Sequence, residues 1–128
     1  GWPTLWRLAA LLHDAPEYVI GDLISPFKAA IGLDYKSFEL RLLSAIHRRF
    51  DIPDPLPAHV TAAIKDADRI AAYFEATCLA GFDVIEAERF FGRPELPDRL
   101  RRSLDALKAE PAAIAQSQFL QRFHDLRR

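Results

Sequence analysis

The sequence predicts an all-α fold, and three observations carry that reading. Apolar residues recur every three or four positions through most of its 128 residues, no stretch alternates as a half-buried strand does, and Gly, Pro and Asp fall where helix caps belong. No internal repeat or low-complexity segment interrupts the pattern. Half of the residues are apolar, enough at this length for one hydrophobic core, so residues 1–128 are read as a single domain.

Taken in order, Leu5, Leu8, Ala9 and Leu12 form the core stripe of a first helix with His13 and Asp14 at its C-terminal end. Pro16 and Gly21 break the pattern and predict a short, irregular helical segment carrying Glu17, after which Asp22 is placed to cap a helix ending at Gly32. Asp34 is the expected N-cap of a helix holding Phe38, Leu42, Leu43 and Ile46. The Pro-rich stretch 53–57 is a connection. A long helix is expected over Ala58–Leu79, closed by Gly81, and a short one over Val84, Ala87, Phe90 and Phe91 before Gly92 and Pro94. Two further helices hold Leu100, Leu104 and Leu107, then Ile114, Phe119, Leu120 and Phe123.

Composition narrows the function classes. The 17 Lys and Arg against 18 Asp and Glu give a formal charge of -1, which disfavours a protein that coats a polyanion. Arg101, Arg102, Arg122, Arg127 and Arg128 gather toward the C-terminus but are interleaved with acids, so solvated helix faces explain them better than nucleic-acid binding. Cys78 is the single cysteine, so no internal disulfide can form and a Cys-based zinc knuckle is excluded. No apolar run reaches the roughly 20 residues of a membrane span, and no secretory leader pattern opens the chain. A reducing cytoplasm is the expected compartment.

The chemistry is expected at His13-Asp14, because an imidazole nitrogen beside a carboxylate suits a divalent cation. A helix-end pair with His13 near the negative end of the dipole is the ordinary alternative. The second element is Asp68. At about 100° per residue, Val60, Ile64, Ala67, Ala71, Phe74 and Cys78 share one face of the long helix. Asp66 points away from that face, whereas Asp68 flanks it, where a carboxylate is costly unless paired or bound to a cation. A salt bridge to Lys65 or Arg69 is the alternative there.

The stretch HDAPEYVIGDLISPFK, followed some fifty residues later by IKDADRIAAYFEAT, resembles the HD-domain hydrolases, specifically the bacterial 5′-deoxynucleotidases and related phage hydrolases. The resemblance implies a compact HD-domain helical bundle. In that family a cation is held by a histidine, a His-Asp doublet and a distant aspartate; the doublet matches His13 and Asp14, and the distant aspartate matches Asp68. It further implies catalytic roles for Glu17 and Asp22 and a phosphate contact for Lys28, for which a solvated helix lysine is the alternative. The family's first histidine lies upstream of the doublet. His47, His59 and His124 come too late to replace it and are read as surface or helix-end residues, so an N-terminal helix is expected to be missing from this chain, a reading that the absence of methionine favours.

Together these readings imply one divalent ion, with Mn, Co, Zn, Fe or Mg compatible with mixed His and Asp donors, and a water activated by it. The expected substrate is a nucleotide, foremost a (deoxy)nucleoside 5′-monophosphate; a dNTP releasing triphosphate and a non-catalytic nucleotide-binding HD module are the alternatives. Tyr18, Trp2 and Trp6 are candidate base-stacking residues, the two tryptophans equally candidate core anchors. Phe90 and Phe91 either close the chain's own core or serve a homodimer contact.

Overall fold

The computed structural model describes residues 1–21 and 25–128, and every regular element among them is a helix. These are α1 (Thr4–Leu11), α2 (Glu17–Ile20), α3 (Ser25–Ile31), α4 (Leu33–Arg49), α5 (Ala58–Leu79), α6 (Val84–Phe91), α7 (Asp98–Asp105) and α8 (Ala112–Arg127). The all-α expectation therefore holds, with the long helix at the predicted bounds. No helix among the described residues is long and apolar enough to cross a membrane. The chain divides into two compact units, Gly1–Thr61 with Leu120–Arg128, and Ala62–Phe119; α5 begins in the first and continues into the second.

In the first unit, α1 starts directly after Pro3, which cannot donate a backbone hydrogen bond and is tolerated at a helix start. Its apolar stripe buries Leu8, Ala9 and Leu12. The helix ends in a run of tight turns, Ala15 N–H donating to Leu12 O at 3.0 Å and Glu17 N–H to Asp14 O at 3.0 Å, and these turns carry the His-Asp doublet. Gly21, at φ +77°, ends α2 in a conformation that favours glycine.

Asp34 is not the N-cap of α4. Gly32, at φ +82°, turns the chain, α4 begins at Leu33, and Asp34 falls in the first turn, where its charge still complements the helix dipole. The expected cap at Asp22 lies outside the described residues. Pro16, Ile52, Val60 and Leu126 are the other buried apolar side chains among the described residues of this unit. Phe50 and Phe123 meet edge to face at 5.1 Å, and the Arg127 guanidinium lies 5.1 Å from the Phe50 ring centre, so this C-terminal arginine is committed to packing.

In the second unit, Tyr73, Phe74, Ala76 and Ala87 form the buried cluster, with Ile70, Phe91, Leu96 and Leu104 packed against it. The expected face of α5 is only partly right. Phe74 is fully buried, but Ala67 is exposed while Tyr73 and Ala76 are buried instead. A single methyl gains little from burial, so the face follows the large rings rather than strict periodicity. Gly81 closes α5 as expected, with the Phe82 N–H donating back to Ala76 O at 3.0 Å.

Asp83 then caps α6 in a reciprocal capping box with Glu86. Arg101 donates to the Pro94 carbonyl at 2.6 Å, another arginine occupied within the chain. Phe91 and Phe90 part ways: Phe91 packs on the core, and Phe90 stays 69% exposed.

Candidate metal centre

His13 sits in the first turn beyond α1, where its Nδ1 lies 2.8 Å from the Ala10 carbonyl. A carbonyl only accepts, so Nδ1 is the donor in this contact, which leaves Nε2 on the side of Asp14. This orientation is the usual support for a metal-ligating histidine, a backbone acceptor fixing the tautomer. Nε2 faces Asp14 Oδ2 at 3.1 Å. A lone pair opposite a carboxylate oxygen at that distance is repulsive unless a proton or a cation lies between them.

Asp68 occupies the middle of α5 and is exposed, so the expected desolvation penalty at the edge of the apolar face is not what marks this residue. The Arg69 guanidinium lies 3.7 Å from Asp66, which is solvent-facing as predicted. What marks Asp68 is its company. Among the described residues, His13, Asp14 and Asp68 each offer a ligand atom, and these atoms lie within 4.8 Å of one another.

The donor set fits a borderline divalent ion: one imidazole nitrogen and two carboxylates, all on side chains that reach solvent. Ligands held at about 2.1 Å in octahedral geometry stand about 3.0 Å apart, close to the bite of the His13-Asp14 pair. Three protein donors would leave coordination positions open on an ion bound there.

No family model matches the chain. Over 123 residues it is 50% identical to an uncharacterized protein of Rhodobacter capsulatus. The match takes in 96% of the chain and 61% of that relative, so the chain spans about three-fifths of the relative's length. The similarity therefore carries no activity with it, and the function has to be argued from the residues.

The remaining predicted residues are distributed as follows. Glu17 opens α2, its backbone tied to the Asp14 carbonyl and thus to the doublet. Tyr18 follows on α2 and is 84% exposed, available to a flat ligand. Lys28 lies in the last turn of α3 with its ammonium 5.8 Å from the Tyr35 ring centre, so it has a partner within the chain; the Tyr35 hydroxyl in turn donates to Gly21 O at 3.4 Å. Trp2 is largely exposed and Trp6 half-buried. Asp22 lies outside the described residues.

His47 departs from expectation. It belongs to the last turn of α4 but is buried, with only 3% of its surface exposed. It sits four residues after Leu43 on the apolar side of α4, and that spacing was the available signal. Its Nδ1 has no hydrogen-bond partner among the described residues and lies 3.9 Å from Asp54 Oδ1. Burial lowers its pKa below the ordinary 6.5, with the Asp54 carboxylate opposing that shift.

Because the folded state holds His47 neutral more firmly than the unfolded chain does, the unfolded state binds more protons as pH falls below 6.5. Stability contributed by the neutral ring is complete above that pH and declines below it. Urea unfolding of the chain and of His47→Leu is expected to show a steeper loss between neutral and mildly acidic pH for the unmodified chain. Parallel curves for the two proteins would show that His47 is not the titrating group.

Proposed function

We propose that this chain carries the catalytic residues of an HD-type, metal-dependent phosphohydrolase acting on a nucleotide, foremost a (deoxy)nucleoside 5′-monophosphate. The observation that carries the reading is the gathering of His13, Asp14 and Asp68 ligand atoms within 4.8 Å, the three positions chosen from the sequence. The 2.8 Å contact of His13 Nδ1 with the Ala10 carbonyl, which orients the ring, supports it further.

A divalent cation held by His13, Asp14 and Asp68 would supply Lewis acidity, neutralising phosphate charge and lowering the pKa of a water from about 15.7 toward about 7. The chain's part is to hold that cation and to manage protons. His13 would offer Nε2 to the cation while its Nδ1–H donates to the Ala10 carbonyl, a hydrogen bond that orients the ring. Asp14 and Asp68 bring negative charge. Glu17 is held by its backbone one turn from Asp14 and is the assigned proton acceptor from the attacking water. The exposed Tyr18 ring, next along α2, is the residue assigned to stack on the base.

The test is a phosphate-release screen over dNMPs and dNTPs with Mn, Co, Zn, Fe and Mg ions, analysing whether phosphate or triphosphate appears. Metal-dependent release of phosphate is the expected result. Glu17→Ala should retain the cation and lose turnover by about 10²–10⁴-fold. Loss of the cation from that variant would move Glu17 from proton transfer to ligation. Nucleotide binding without any release, across all ions, would replace the hydrolase with a binding module.

A further inference from the structure

We propose that the C-terminal ends of α4 and α8 together form a binding site for a phosphate group, held by the Arg49 and Arg127 guanidiniums. These residues are far apart in sequence, yet within the first unit both lie on the Phe50 ring, Arg49 at 5.4 Å and Arg127 at 5.1 Å from its centre. Arg127 is also 5.7 Å from the centre of the Phe123 ring, which meets Phe50 edge to face. The last turn of a helix favours a basic residue, and that accounts for one arginine at each helix end. It does not account for both on a single ring, which is a product of tertiary folding.

Neither charge is neutralised. Among the described residues neither Arg49 nor Arg127 joins an ion pair. The acids nearest in sequence are engaged elsewhere: Asp125 takes Arg128 at 3.0 Å and the Gln121 side-chain amide at 3.0 Å, and Asp54 faces His47. Asp51 follows Phe50 directly, but at φ +57° it turns the chain and pairs with neither arginine.

Packing on a ring uses the flat face of a guanidinium and leaves its in-plane N–H donors free. Both side chains are exposed, so those donors reach solvent. The ring contacts also outweigh the weak repulsion between two solvated charges, so the pair is assembled before a ligand arrives and binding does not have to order it. The donors and the two positive charges define the ligand. A carboxylate has oxygens enough for one guanidinium fork, whereas a phosphate dianion matches the double charge and has oxygens for both forks.

The test is titration of the full chain with inorganic phosphate, followed through its amide and arginine side-chain NMR signals. EDTA is present throughout, which keeps cations away from His13, Asp14 and Asp68 and makes the result independent of the hydrolase reading. Saturable shifts centred on residues 49–51 and 123–128 are expected, with Arg49→Gln and Arg127→Gln each raising the dissociation constant by at least about tenfold. Arg127→Lys keeps the charge but loses the fork and should weaken binding as well. Arg48→Gln removes the same charge from the neighbouring position, which does not lie on the ring, and should change binding by no more than about twofold. Phenyl phosphate titrated in parallel distinguishes the sources: tighter binding than the free ion identifies an organic phosphoester, equal binding the free ion. No saturable shift at millimolar phosphate, or Arg48→Gln weakening binding as much as Arg49→Gln, overturns the proposal. Should Arg127→Gln fail to fold, the comparison of Arg48→Gln with Arg49→Gln decides by itself.

Discussion

Asp68→Ala is expected to weaken divalent-cation binding by about 100-fold or more and to abolish hydrolysis, while Asp66→Ala leaves both nearly unchanged. Residues that only hydrogen-bond a metal ligand are worth about 10–100-fold in metal affinity, and a ligand should be worth at least as much. The two aspartates are two residues apart on α5 and so point about 160° from each other around the helix. Asp66 faces Arg69 at 3.7 Å and solvent, whereas Asp68 stands within 4.8 Å of the His13 and Asp14 donor atoms. Both side chains are exposed, so neither substitution should alter stability by more than about 0.5 kcal/mol. Calorimetric titration with Mn ions, followed by the phosphate-release assay, separates the two. Equal behaviour of the variants would remove Asp68 from the cation site and with it the proposed mechanism.

Much of the architecture was legible because helices write their period and their ends into local sequence. The bounds of α5 followed from Pro57 before it and Gly81 after it, and the position of His13-Asp14 followed from the stripe that ends at Leu12. Local patterns were read less well where two signals competed. Asp34 looked like a cap because it precedes an apolar run, yet the positive φ of Gly32 starts α4 earlier. The capping box at Asp83–Glu86 is written in the sequence as an Asp-x-x-Glu pattern, a start signal separate from the apolar residues that give the helix its period.

Burial was the harder quantity. Ala67 lies on the predicted face of α5 and is exposed, and His47, a polar residue, is buried, because tertiary packing rather than period decides which positions of a stripe are covered. The three cation-binding candidates were assembled from two separate stretches of sequence, one by helix-end chemistry and one by helical phase together with a family resemblance. Phase separates Asp66 from Asp68, but the desolvation argument for Asp68 fails because its side chain is exposed; its nearness to the His13 and Asp14 donor atoms is a tertiary property that local sequence does not carry.

Phe74→Ala is expected to cost about 3–5 kcal/mol of folding stability, the range for removing a buried phenylalanine ring. Phe74 is fully buried in the second unit, stacked edge to face on Tyr73 at 5.1 Å, and its loss opens a cavity among Tyr73, Ala76 and Ala87. Against a total stability of about 5–15 kcal/mol this is a large fraction, read as a lower urea midpoint with an unchanged slope. Its value for the functional proposal lies in the contrast with Asp68. A cation that binds only the folded chain adds stability according to its concentration over its dissociation constant, and that gain does not depend on core packing. Phe74→Ala should therefore lower the midpoint yet keep the cation-induced increase, whereas Asp68→Ala should keep the midpoint and lose the increase. If Phe74→Ala also lost the increase, the position of Asp68 on α5 would depend on the packing of that helix six residues further on.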